Sequence, residues 1–121
     1  PKLKELYIRR LELQDLSVIS NCTELECLCI TEIPAKDFSM LASLESLREL
    51  DVEGTLFNNL SILPNQEQFA KLNLSRTPID DFSFLLNTPK LKELKVGETF
   101  FDNADILENL ALSRGEHKSA V

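Results

Sequence analysis

Apolar residues recur along this chain at a fixed interval of 22 residues. Five ungapped blocks can be written, 1–22, 23–44, 45–66, 67–88 and 89–110. Their third, sixth and eighth positions are apolar every time: Leu3, Leu6, Ile8; Leu25, Leu28, Ile30; Leu47, Leu50, Val52; Phe69, Leu72, Leu74; Leu91, Leu94, Val96. At 43 % apolar residues, fifteen matches in fifteen would arise by chance about three times in a million, before any choice of frame. Later columns repeat as well. The fifteenth position is Asp15, Asp37, Asn59, Asp81 and Asn103, and the sixteenth is Leu16, Phe38, Leu60, Phe82 and Ala104. Serine follows at Ser17, Ser39, Ser61 and Ser83, with Asp105 breaking the column, and the nineteenth position is Ile19, Leu41, Leu63, Leu85 and Leu107. Such a period is the signature of a repeat protein.

Alternation around Leu6 and Ile8 predicts a short strand, with residues 5, 7 and 9 on its opposite face. One such strand cannot bury its apolar side. Stacking equivalent strands about 4.8 Å apart buries a continuous core and makes a five-stranded parallel sheet spanning roughly 19 Å. The second half of each block must then return across the far side, with Phe38, Leu41, Phe82 and Leu85 pointing inward. Asp or Asn in the fifteenth column is expected to accept backbone N–H groups where a turn or short helix begins. Phe57, Ile79 and Phe101 are expected in the core, and Leu56 and Phe100 as exposed apolar contacts. Ile106, Leu107, Leu110 and Ala111 recur at helical spacing and Gly115 suits a C′ site, so a helix from about 104 to 113 is predicted to cap the last coil, with 116–121 frayed. The N-terminal strand has no comparable lid. Its unpaired edge suggests a fragment of a longer chain, or an edge covered by a second copy through self-association.

These blocks resemble leucine-rich repeats, with the pattern L-x-x-L-x-L-x-x-N-x-L, and fit best the 22-residue subclass of the internalins and the leucine-rich regulatory subunit of protein phosphatase 1. The stretch from Asn73 to Leu94 carries the resemblance best, and coverage extends over residues 1–110. The resemblance implies an α/β fold, a right-handed solenoid of five coils (1–22, 23–44, 45–66, 67–88, 89–110), with a parallel concave sheet and short convex helices or turns; residues 104–121 would be the capping helix and tail. One column departs. The family's asparagine position holds Leu11, Ile33, Thr55, Thr77 and Thr99, so there is no asparagine ladder. Thr55, Thr77 and Thr99 are expected to replace it, pairing with backbone groups of the neighbouring coil.

Composition narrows the function. Lys and Arg number 13 against 20 Asp and Glu, a formal charge of −7, which argues against nucleic-acid or anionic-membrane partners. No apolar run approaches the roughly 18 residues of a membrane span, and no signal peptide opens the chain. Three cysteines and one histidine fit reduced thiols better than a disulfide framework, and no cofactor or metal is expected. Cys27 and Cys29 share a strand face, but no second ligand pair accompanies them. Glu49, Asp51 and Glu53 stand on an open sheet face, which gives little of the desolvation that acid–base catalysis needs, so no enzyme is expected. Three N-x-S/T sequons, at Asn21, Asn59 and Asn73, are read as accidental, since Asn59 caps a turn and Asn73 lies in a strand.

What remains is the concave strand face. By blocks the charge runs +1, −3, −3, −1 and −2, with +1 for the tail. Glu49, Asp51 and Glu53 thus concentrate on one strand, two coils from the basic-aromatic patch Tyr7, Arg9 and Arg10. A bipolar surface of this kind suits a protein partner, contacted by Tyr7, Arg9, Arg10, Thr31, Glu49, Asp51, Glu53, Asn73, Arg76 and Lys95. The competing expectation is an architectural segment of a longer leucine-rich-repeat chain with the binding coils elsewhere. Free thiols tilt the compartment toward the cytoplasm, whereas the internalin resemblance tilts it toward a cell surface.

Overall fold

The computed structural model describes residues 2–64 and 66–99. Within them, β1 (Glu5–Arg9), β2 (Cys27–Thr31), β3 (Glu49–Asp51), β4 (Lys71–Asn73) and β5 (Glu93–Lys95) form one parallel sheet in chain order. The register advances by one repeat per strand: Leu6 pairs with Leu28, Leu28 with Leu50, Leu50 with Leu72 and Leu72 with Leu94. The stacked-coil architecture therefore follows the repeat. The inward columns are dry from the second coil onward. Leu28, Ile30, Val52, Leu74 and Leu94 are fully buried, and Leu16, Ile19, Phe38, Leu41, Phe82 and Leu85 close the core from the far side. Phe57 and Ile79 are buried and Leu56 is exposed, as expected. Phe100, Phe101 and the capping helix lie outside the described residues. Among the described residues no helix is long and apolar enough to cross a membrane.

Each of the four described return arms opens with the same bond. The side-chain oxygens of Asp15, Asp37, Asn59 and Asp81 accept the N–H of Ser17, Ser39, Ser61 and Ser83 at 2.9–3.0 Å. That bond holds the carboxyls of Asp15, Asp37 and Asp81 below the usual aspartate range. The arms then form 3-10 helices at Ser17–Asn21, Ser39–Ser43, Leu60–Ile62 and Ser83–Asn87. The third is short because proline disfavours helical backbone in the residue before it. Leu63, which precedes Pro64, is extended (φ −70°, ψ 128°), so the helix stops at Ile62. A separate 3-10 turn, Gln66–Gln68, follows.

The threonine column corrects an expectation. Thr55, Thr77 and Thr99 donate to Val52, Leu74 and Val96 carbonyls at 2.6–2.7 Å, three residues back in the same coil. The hydroxyls thus close local turns after β3, β4 and β5, and those of Thr55 and Thr77 bond within their own coil. A threonine hydroxyl sits on Cβ and reaches a carbonyl three residues back; the longer asparagine amide has the reach for other partners. At the N-terminal end the core is open. Leu3 and Leu11 are 42 % and 52 % exposed, where their equivalents Leu25 and Ile33 are 0 % and 2 %.

Candidate protein-binding face

Side chains of the fifth and seventh columns leave the sheet on the side away from the core. Tyr7, Glu49, Asp51, Asn73 and Lys95 line one groove of about 220 Å³, together with Cys27, Cys29, Lys71 and Glu93. Strand pairing sets Glu49 beside Lys71, Lys71 beside Glu93 and Asn73 beside Lys95. Opposite charges therefore alternate along the fifth column from β3 to β5. The groove is therefore acidic over β3 and mixed over β4 and β5.

The other five expected residues lie along a rim and bond across neighbouring coils, Arg10 through Glu32. Arg9 Nε donates to Thr31 Oγ1 at 3.2 Å. Thr31 is a correction to the exposed face expected from the strand pattern: at 5 % exposure it is buried at the strand end, against the arginine of the preceding coil. Arg10 Nε pairs with Glu32 Oε1 at 2.7 Å, and Arg76 Nη2 reaches Glu32 Oε2 at 3.0 Å and Glu53 Oε2 at 3.2 Å. Asn73 Nδ2 donates to the other Glu53 oxygen at 3.0 Å. The two arginines hold the Glu32 carboxyl below its usual range, Arg76 contributing first.

This network spans four coils because of one glycine. The tenth column turns the chain out of each strand with φ near +55° at Arg10, Glu32, Arg76 and Glu98, and +71° at Gly54. A Cβ on Gly54 would meet Glu32 Cγ at 3.1 Å and Arg76 Nη2 at 3.2 Å. Its absence leaves the gap through which Arg76 crosses the third coil to Glu32, a residue 44 positions earlier.

Among the groove thiols, Cys27 Sγ lies 3.4 Å from the Tyr7 hydroxyl. Desolvation raises both thiols, Cys29 to about 11 with Asp51 adding to the effect. The contact with Cys27, and then Glu5, pushes the Tyr7 hydroxyl above the ordinary phenol range. At neutral pH these groups are protonated hydrogen-bond donors, and thiols in this state are poor nucleophiles. No group of three or more His, Cys, Asp or Glu positioned for a metal exists among the described residues.

Cys27, Cys29, Lys71 and Glu93 were not among the expected contacts, although their places in the fifth and seventh columns put them on this face. A second concavity gave no sequence signal at all. It lies between the return arms of coils 3 and 4 and the strand starts, with Arg48, Gln66, Lys90 and Lys92 among its walls.

Solved structures with this fold include two internalins from Listeria monocytogenes. One internalin (inlF) shares 25 % identity over 90 % of this chain with a TM-score of 0.80, the match covering 32 % of that chain. An internalin C2 (inlC2) shares 20 % identity over 89 % of this chain with a TM-score of 0.70, covering 47 % of that chain. The chain thus spans less than half the length of either. The five parallel strands in one open sheet are those of a leucine-rich-repeat solenoid. No family model and no curated protein matches the chain.

Proposed function

We propose that the chain is a protein-interaction module whose partner lies in the groove of the concave sheet. The observation that carries this reading is the groove itself: polar side chains of the fifth and seventh columns from all five coils line one surface over the buried Leu28, Leu50 and Leu72. Mechanism here is preorganisation. A sheet held by a dry core presents these groups with little backbone ordering cost on binding. The charge layout fits an extended segment crossing the strands, with a basic residue over Glu49 and Asp51 and an acidic residue toward Lys95. Two strand spacings separate those points, roughly 10 Å, or about three extended residues. Catalysis is no part of this reading, because the thiols are held protonated and the carboxylates stand on an open face.

The test is capture with the partner identified by mass spectrometry, followed by purified binding of that partner to a Glu49→Lys/Asp51→Lys variant. The expected result is loss of at least tenfold in affinity, with a convex-side control, Lys36→Glu, unchanged. Equal affinity of both variants would overturn it. The rim favours a second reading for its own residues. Arg10, Glu32, Glu53 and Arg76 bond to each other across coils, which suits an architectural role in a longer solenoid.

A further inference from the structure

A cleft of about 1200 Å³ opens across coils 3, 4 and 5 at the N-terminal ends of the strands. Two departures from the repeat make it. Pro64 ends the third return arm early, and the chain re-enters through the Gln66–Gln68 turn. Ala70 then occupies the fourth column, where Lys4, Glu26, Arg48 and Lys92 stand in the other coils, so the cleft has a methyl floor. Gln66 braces one wall by donating from Nε2 to the Phe84 carbonyl at 3.1 Å.

The walls are cationic in a chain whose net charge is −7. Arg48, Lys90 and Lys92 line the cleft against the single carboxylate of Glu67. Arg48 Nη2 shares Glu26 at 2.8 Å and stays 56 % exposed. Neither lysine enters any of the ion pairs among the described residues. The Ala70 carbonyl at the floor already accepts the N–H groups of Lys92 and Glu93, at 2.8 and 3.2 Å. Recognition therefore falls to the side chains. Like charges around a concavity focus the field into it, and an incoming carboxylate relieves their repulsion.

We propose that this cleft is a second docking site, and that its occupant is an acidic, extended segment of a partner protein. It does not depend on the concave-face reading. The probe is a fluorescein-labelled octapeptide of alternating Glu and Ser, titrated with the whole chain and followed by fluorescence anisotropy at about 0.01 M and about 0.15 M salt. The expected result is saturable binding that weakens with salt and falls at least tenfold in Lys90→Glu/Lys92→Glu. Ala70→Leu fills the floor without changing charge and is expected to weaken binding severalfold, with an unchanged melting midpoint to show that the fold is intact. Absence of saturable binding, wild-type affinity in the double lysine variant, or an equal loss in Lys2→Glu/Lys4→Glu at the far end of the solenoid would overturn the proposal.

Discussion

Coils 3 and 4 are adjacent, equal in length and paired strand to strand, yet they differ in kind on their two sides. At the inward positions of the strand side and the turns that follow they are interchangeable. Leu50 and Leu72 occupy the same inward site, Thr55 and Thr77 close the same turn, and Asn59 and Asp81 open the return arm with the same bond. On the return side coil 4 runs through five residues of 3-10 helix, Ser83–Asn87, whereas coil 3 stops after three, Leu60–Ile62. The strand side must match both neighbours in register, so variation there is costly. The return side packs through large side chains that tolerate shifts, such as Phe69 edge-on to Phe84 at 5.8 Å. Irregularity collects where the sheet does not forbid it.

The sharpest way to break this comparison is core truncation. Leu50→Ala and Leu72→Ala should each cost about 2–5 kcal/mol by denaturant unfolding, and a difference between them larger than the spread of that range would show that the strand sides are not equivalent. Next comes the threonine column. Thr77→Val should cost about 1–3 kcal/mol. Thr55→Val should cost at least as much, because Thr55 Oγ1 also accepts the Phe57 N–H at 3.3 Å. An unchanged melting midpoint for both would remove their role in the turn. Gly54→Ala should cost about 1–2 kcal/mol for the left-handed backbone alone. It should also lower the salt sensitivity of stability by displacing Arg76, while Arg76→Gly should lower that sensitivity without the backbone strain.

The smallest effect separates the coils by pH. Asp81 is held below its usual range by the Ser83 N–H, and Asn59 makes the same bond without titrating. A depressed folded value means that the stabilisation is present above the unfolded value of about 3.9. It is lost as pH falls through the lower folded value. Melting midpoints of Asp81→Asn should therefore fall less steeply below about pH 4 than those of the wild type. Asn59→Asp should add to the steepness. The opposite order would show that these bonds do not carry the acid response.

Much of this was legible before any coordinates. The five-strand register, the buried columns at positions three, six, eight, sixteen and nineteen, and the Asp/Asn bond at the head of the four described return arms all follow from a period of 22 residues. The reason is that each coil of a solenoid contacts only its neighbours, so equivalent positions meet equivalent positions and a one-dimensional pattern carries the packing. Tertiary structure alone decided how long or branched side chains are spent. Arg76 passes over Gly54 to Glu32, the threonine hydroxyls turn back within their own coil, Thr31 is buried beneath Arg9, and the cleft opens where Pro64 and Ala70 coincide. Column membership says which face a residue leaves from; the neighbours' shapes and charges decide where its end comes to rest.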